Sequence, residues 1–321
     1  VESTGYRTFA VEVSRVQRLC PSFTRITFSG DDLLGFGACG ADQRIKVVLP
    51  APGSTAADLV ATCRAWGDDW YPQWLAAPGD QRPLLRTYTV RGARPCLGEV
   101  DVDFVLHGAS PGDHAPAGPA SRWAMTARAG DQLVVVGPDR PGTGRAWGRE
   151  WAPPEGGRLL LAGDETAVPA VCAVLEALEP EAARRTVALL EVPCAEDALQ
   201  PVASGGAAVR WLPRRGPAGE AAHGSLLVDA VRSLLDGDGL VAPAPRLPTA
   251  AVTATDPLSS DADLDVLWDV PEAVGSGDLY AWVAGEASVV RDLRRLVRGA
   301  GLPKTSLAAM GYWKAGRSEA A

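Results

Sequence analysis

Lysine is scarce in this chain: Lys46, Lys304 and Lys314 are its only ones, and the burden of positive charge falls on arginine. The net charge is −8, so the basic footprint of a general nucleic-acid binder is missing, although a local basic pocket on an acidic body remains compatible with it. Histidine is nearly as rare, with three in the whole chain. No paired metal-ligand spacing is visible, so no resident metal is expected. None of the six cysteines, Cys20, Cys39, Cys63, Cys96, Cys172 and Cys194, stands in a C-x-x-C pair, which removes the usual frames for an iron–sulfur cluster or a zinc knuckle. The even count permits disulfides, but a chain this large does not need them. Reduced thiols and a cytoplasmic location are expected. No signal peptide is read at the start, which is Val1, and no apolar run reaches membrane-spanning length, so no membrane insertion is expected.

The 321 residues are enough for two domains, and the hydrophobic period changes near the middle. Six β-type stretches fill the first half: Tyr6–Val13, Thr24–Phe28, Arg44–Leu49, Arg86–Val90, Val100–Leu106 and Gln132–Val136. Punctuated by glycine and proline, they predict a small antiparallel barrel. The stretch 56–76 breaks this rhythm, with Trp66, Trp70, Tyr71 and Trp74 three or four apart, and reads as a helical insertion. The second half alternates apolar strands (Arg158–Gly163, Thr186–Val192, Ala208–Leu212, Leu279–Ala284) with helical runs (Val168–Leu178, Leu226–Leu235, Ser288–Gly299). That order predicts a parallel sheet covered on both faces. Pro153, Pro154, Gly156 and Gly157 mark the join, giving domains of 1–152 and 153–321. Residues 236–277, rich in Asp, Pro, Ala and Ser, read as a long mobile connection.

Three segments carry chemistry. In Arg86-Thr87-Tyr88-Thr89-Val90-Arg91, a guanidinium and a phenol two residues apart face the same side of a strand. That pair suits a ligand with a flat ring at one end and phosphates at the other; the same residues also suit an edge strand with solvated arginines. His107-Gly108 ends a strand, and a Gly/Pro-rich loop, Gly112 to Pro119, leads into Ala120-Ser121-Arg122-Trp123. A loop bringing free N–H groups to a helix start is a phosphate site, or a capped helix joining two strands. Ala120 or Ser121 is expected near the N-cap. Gly163-Asp164-Glu165-Thr166 lies at the carboxyl end of the first strand of the α/β half, where open sheets bind ligands; Asp164 and Thr166 also suit a helix cap. The G-x-G-x-x-G fingerprint is absent. Trp282-Val283-Ala284-Gly285-Glu286 repeats the strand-then-glycine pattern. The closing Gly311-Tyr312-Trp313-Lys314 reads as a packed tail or as a cover for a ring.

Together with Asp42-Gln43-Arg44-Ile45-Lys46, Asp69-Trp70-Tyr71 and Asp101-Val102-Asp103-Phe104, these segments, in this order, resemble the siderophore-interacting protein family, flavin-dependent ferric-siderophore reductases of the ferredoxin-reductase-like superfamily. The resemblance implies an N-terminal barrel holding FAD and a C-terminal α/β domain receiving NADH or NADPH. It implies that Arg86 binds the FAD diphosphate and that Tyr88 and Thr89 are the catalytic pair, one stacked on the flavin and one near its N5. Thr87, Val105, His107, Gly118, Pro119, Ala120, Ser121 and Trp123 complete that site by the same resemblance, and Asp164, Glu165 and Thr166 face the nicotinamide nucleotide. It also implies basic residues that hold an anionic ferric chelate, for which Lys46, Lys314 and Arg122 are the candidates.

The implied reaction passes electrons from NAD(P)H through FAD to a ferric siderophore and releases iron(II). Glu191, Glu196 and Asp197 after the strand Thr186–Val192 favour ribose hydroxyls over a 2′-phosphate and so NADH. Reduced ferredoxin is a possible donor. Alternatives are a flavin-dependent electron-transfer or biosynthetic oxidoreductase with another acceptor, a non-catalytic siderophore-binding protein, and an unrelated two-domain protein without flavin.

Overall fold

The computed structural model describes residues 5–107, 117–139, 148–199, 205–217, 219–237, 267–271 and 278–316. The chain divides into two compact units. One holds the sequence up to Glu150 together with Cys172–Ala177; the other holds Trp151–Val171 and the sequence from Leu178.

The first unit contains β1 (Tyr6–Cys20), β2 (Phe23–Ser29), β3 (Arg44–Leu49), α1 (Ala56–Trp66), α2 (Trp70–Ala76), β4 (Leu84–Thr89), β5 (Gly92–Arg94), β6 (Glu99–Val105), α3 (Pro119–Thr126) and β7 (Gln132–Pro138). The strands form one seven-stranded sheet in the order β4-β3-β7-β1-β2-β6-β5, antiparallel throughout. The expected barrel is thus a half-barrel, whose edge strands β4 and β5 do not pair among the described residues. The short β5 was not anticipated, since three residues carry no readable period. β1 runs past Val13 because its polar second half is held by the ladder to β2, with Val16 opposite Ile26 and Gln17 opposite Arg25.

Alternation along β6 separates two environments. Val100, Val102 and Phe104 enter the apolar core with Phe9, Ile26, Phe28 and Ile45. Asp101 and Asp103 face the other way and are buried under arginines: Arg94 grips Asp101 at 2.7 and 2.8 Å, and Arg25 grips Asp103 at 2.6 and 2.9 Å. Bidentate pairing of this kind makes a buried carboxylate tolerable. The insertion folds as expected. Thr55 and Asp58 form a reciprocal capping box at the start of α1, and buried Trp74 donates its indole N–H to the Pro83 carbonyl at 2.8 Å.

The second unit contains β8 (Arg158–Gly163), the first four residues of α4 (Val168–Ala177), whose remainder belongs to the first unit, α5 (Pro180–Arg184), β9 (Thr186–Val192), β10 (Ala208–Pro213), β11 (Arg215–Gly216), β12 (Gly219–Glu220), α6 (Ser225–Leu235), β13 (Trp268–Asp269), β14 (Leu279–Glu286), α7 (Ala287–Gly299) and β15 (Leu307–Trp313). Its six-stranded sheet has the order β10-β9-β8-β14-β15-β13. All neighbours are parallel except β13, which runs antiparallel to β15. Side chains of α6 and α7 meet Leu160, Ala162, Leu189, Ala281 and Val283 in one core. Leu159, Leu161, Tyr280 and Trp282 point to the opposite face and are equally buried, as a sheet covered on both sides requires.

Three expectations change here. The closing aromatic segment is the interior strand β15 and not a tail, for it pairs with β14 on one side and β13 on the other. Part of the presumed 236–277 connection is ordered as β13, whereas 238–266 and 272–277 lie outside the described residues. Pro180 opens α5 as well as ending the preceding run, since its fixed φ suits the first helical position. None of the six cysteines takes part in a disulfide. No helix among the described residues is long and apolar enough to cross a membrane.

Candidate functional site

Pairing of β3 with β4 decides which side chains of the first unit share a face. Ile45 lies opposite Tyr88 and Val47 opposite Arg86, while Lys46 lies opposite Thr87 and Arg44 opposite Thr89. Direct partners in an antiparallel ladder project to the same side, so Arg86 and Tyr88 occupy one face and Lys46, Thr87 and Thr89 the other. Tyr88 rests against Phe104, ring centroids 4.3 Å apart. Phe104 in turn meets Trp123 of α3 at 5.6 Å, and Trp123 stacks on Phe28 at 6.1 Å. This aromatic chain ties β4 to α3. Arg86 is half-buried and donates to the Leu85 carbonyl at 2.7 Å. Thr89 is buried. The Lys46 ammonium donates to the Thr87 hydroxyl at 2.5 Å, so the sheet does not bring Lys46 to the Tyr88 face.

The N-cap of α3 lies two or three residues earlier than expected. Gly118 is its N-cap and makes no side-chain capping bond, and Pro119 occupies the first turn. The buried Ser121 joins the helix to the end of β6: its hydroxyl donates to the Val105 carbonyl at 3.1 Å and accepts the His107 backbone N–H at 3.3 Å. Ala120 is buried, Arg122 is exposed and donates to the Ala117 carbonyl, and the His107 side chain is exposed. The loop stretch 108–116 lies outside the described residues. A helix start without a side-chain cap, at Gly118 where an added Cβ would meet nothing within 4 Å among the described residues, suits an anion. With Arg86 and Tyr88 on one face nearby in the fold, the residues present fit a flavin dinucleotide.

At the carboxyl end of the second sheet, Asp164 is a hub. Its Oδ1 accepts the Thr166 N–H at 2.9 Å and the Thr166 hydroxyl at 2.5 Å. Its Oδ2 accepts the Glu286 N–H at 2.7 Å and the Trp313 indole N–H at 2.9 Å. Burial and the neighbouring Glu165 carboxylate nevertheless hold its pKa above the ordinary range, against the opposing pull of His223, Thr166 and Trp313. Glu165 behaves oppositely: burial pushes it up, but His223 and the Arg214 guanidinium, bonded to it at 2.8 and 2.9 Å, hold it well below the carboxylate range. Arg214 also reaches Glu191 at 3.2 Å. His223 Nε2 stands 3.6 Å from Asp164 and 3.7 Å from Glu165. Burial lowers its pKa, yet the facing carboxylates outweigh that and leave it raised.

Glycine makes the hub possible. Gly285 has φ 147°, and a Cβ there would lie 2.6 Å from Asp164 Oδ2. A Cβ on Gly163 would meet the Ala167 Cβ at 2.4 Å and the Ala284 carbonyl at 2.7 Å. The repeated strand-then-glycine pattern therefore marks two close approaches around one carboxylate. Arg214, His223 and the anchoring role of Trp313 carried no signal readable in the sequence, because distant segments bring them to Asp164 and Glu165.

The acidic argument for NADH narrows in the structure to Glu196, which is exposed. Glu191 is wholly buried and accepts the Gly224 and Leu227 N–H groups at 2.6 and 3.0 Å; Asp197 is wholly buried and accepts the Cys194 N–H at 3.2 Å. Neither carboxylate is available to a ribose. Among the described residues no group of three or more His, Cys, Asp or Glu could hold a metal ion. Burial pushes the Cys63 and Cys172 thiols up to about 12, which leaves them inert as nucleophiles.

Residues 12–142 match the model of the siderophore-interacting FAD-binding domain, and residues 157–316 match that of the siderophore-interacting protein. Ferric vibriobactin reductase ViuB of Vibrio cholerae is 26% identical over 96% of this chain and 89% of its own length. The NADPH-dependent ferric-chelate reductase of Escherichia coli is 27% identical over 94% of this chain and 91% of its own. A siderophore utilization protein from T. fusca, solved by crystallography, superposes with a TM-score of 0.65 at 26% identity, covering 99% of this chain and 97% of that one.

Two outcomes test the hub. Gly285→Ala should destabilise the protein by about 2–4 kcal/mol, combining backbone strain with overpacking; a denaturant midpoint equal to wild type would contradict the close approach. A histidine whose folded pKa is raised contributes stability that is full below its unfolded value, about 6.5, and is lost as pH rises through the folded value. The wild-type Tm should therefore fall over that window, and His223→Gln should flatten the slope there. Identical slopes would remove the ion pairing assigned to His223.

Proposed function

The chain belongs to the siderophore-interacting protein family, and from that premise we propose that it is an FAD-dependent reductase that takes electrons from NAD(P)H and delivers them to a ferric siderophore, releasing iron(II) in the cytoplasm. The observation that carries this reading lies in the first unit: Tyr88, on the same face of β4 as Arg86, is linked through Phe104 to Trp123 of α3, a helix whose start has no side-chain cap.

In this reading Arg86 and the N–H groups of Ala120 and Ser121 hold the diphosphate, with Gly118 and Pro119 setting the helix start. Tyr88 stacks on the ring system, with Val105, His107 and Trp123 completing the wall; Thr87 and Thr89 start from the opposite face of β4, and Thr89, the last residue of that strand, is the one placed to turn its hydroxyl toward the reactive edge. Bound FAD supplies the conversion between two-electron and one-electron transfer that neither a nicotinamide nor iron provides alone. The chain's own work is to bind, orient and exclude water. Ferric iron in a chelate of hard oxygen donors is held by charge, and adding one electron loosens it; the metal arrives and leaves as substrate. Lys314 is the leading candidate cation for the anionic chelate, and Arg122 is the weaker one. Lys46 acts less directly, because its amine is committed to Thr87.

Of the three residues proposed near the nicotinamide nucleotide, Thr166 is half-exposed, whereas Asp164 and Glu165 are buried and act through the positions they fix. Reduced ferredoxin as donor is favoured by one observation. The starts of α6 and α7 are filled by Glu191 and Glu286, so neither offers free N–H groups to a pyrophosphate.

Tyr88→Ala should weaken FAD retention, read as the Kd from flavin fluorescence quenching. Arg86→Ala should weaken it by about 1.5–3 kcal/mol, the range of a charge-assisted hydrogen bond; unchanged Kd values would refute both assignments. Steady-state turnover of ferric catecholate, hydroxamate and citrate chelates, with iron(II) trapped and NADH, NADPH and reduced ferredoxin compared as donors, tests the reaction. Turnover by at least one donor should exceed that of free reduced flavin, and a rate no faster with every donor would contradict the proposal.

A further inference from the structure

Lys314 follows directly on β15, and two carboxylates fasten the chain on either side of it. Before it, Trp313 donates its indole N–H to Asp164 Oδ2. After it, Ala315 donates its backbone N–H to Glu286 Oε1 at 3.2 Å. Each carboxylate is itself immobilised by its remaining bonds. Glu286 Oε2 accepts the N–H groups of Ser288 at 2.6 Å and Val289 at 3.1 Å, and the Ser288 hydroxyl; Asp164 is held by Thr166 and by the Glu286 backbone.

The strands confirm the fastening. The β14–β15 ladder shifts register between Gly285 and Glu286, so that Glu286 pairs with Trp313. That shift brings Glu286 level with the end of β15. The His223 ring meets the Trp313 indole edge-on at 5.2 Å. Lys314 itself is half-buried, and no carboxylate among the described residues pairs with its ammonium.

A lysine just past a strand end would ordinarily sample many positions, and a ligand that captured it would have to order both backbone and side chain. Here the backbone is ordered beforehand, which strengthens any interaction made by the cation. We propose that Glu286 and Asp164 are positioning residues that hold the Trp313–Ala315 segment so that Lys314 is presented to the anionic ferric chelate. The inference rests on the reading in which Lys314 binds that chelate.

A double-mutant cycle on the FAD-loaded protein tests it with Glu286→Gln, Lys314→Ala and their combination. Gln at 286 keeps the size of the side chain but carries one carbonyl oxygen in place of two acceptors. Satisfying the start of α7 then turns an NH2 toward the Ala315 N–H, and the clasp opens. Lys314→Ala should raise KM for the ferric chelate. Glu286→Gln should raise it by up to about tenfold, the lower end for a hydrogen bond to a charged group, with kcat and the rate of flavin reduction by nicotinamide unchanged. In the Lys314→Ala background it should add nothing. A role confined to stability would lower Tm without moving KM.

If Lys314→Ala raises KM and Glu286→Gln does not, or if the two effects add fully, the positioning role is overturned and the chelate reading stands. If Lys314→Ala leaves KM unchanged, the chelate reading itself fails and the inference falls with it. Should Glu286→Gln fail to fold, Trp313→Phe removes the indole donor alone and carries the same expectation for KM. No change in KM there overturns the proposal.

Discussion

Register between β3 and β4 is the constraint on which the cofactor reading depends. Because side chains alternate, a slip of one residue would exchange Arg86 and Tyr88 with Thr87 and Thr89 and turn the phenol away from Phe104. The slip is opposed by packing. Val47 and Ile45 are fully buried opposite Arg86 and Tyr88, and Lys46 with Thr87 would have to replace them in the apolar core. The same apolar pattern that closes the core thus aims the guanidinium and the phenol. The site is a by-product of a well-specified sheet and needs no separate device.

The second unit solves a different problem. It gathers Asp164, Glu165, Glu191, Arg214 and His223 at the carboxyl end of a parallel sheet, where burial makes every unpaired charge expensive. Each carboxylate is answered: Glu165 by Arg214, Glu191 by Arg214 and the start of α6, Asp164 by four hydrogen-bond donors. Their pKa shifts follow from this division. Glu165 carries the full guanidinium contact and falls, while Asp164 has mostly neutral donors and rises. Charge that looks like ligand-binding capacity in the sequence is largely internal structure.

That difference sets how much was legible. The strands, the helical insertion and the change of period near residue 150 were readable because each rests on local periodicity. So was the Arg86–Tyr88 pairing, which needs only a strand and a spacing of two. β15 was not, because Ala308, Ala309 and Gly311 lack the β-branched signature and the strand forms only between β14 and β13. The two-residue β13 exists by virtue of that pairing alone. Pro119 obscured the start of α3, which the backbone settles at Gly118. The bond between Arg214 and Glu165 spans 49 residues, and nothing local announces it. Glu191 and Asp197 misled because a side chain's sign is visible in sequence and its burial is not.

An anaerobic spectral titration of the FAD-loaded protein tests the central claim most directly. NAD(P)H, or reduced ferredoxin in a parallel cell, is added first, and a ferric siderophore follows with an iron(II) trap present. The account predicts that the flavin absorption bleaches, then returns on addition of the chelate faster than for free reduced flavin, with one iron(II) trapped for each electron stored. A protein that cannot retain FAD, or a reduced flavin that the ferric chelate does not reoxidise, would contradict it.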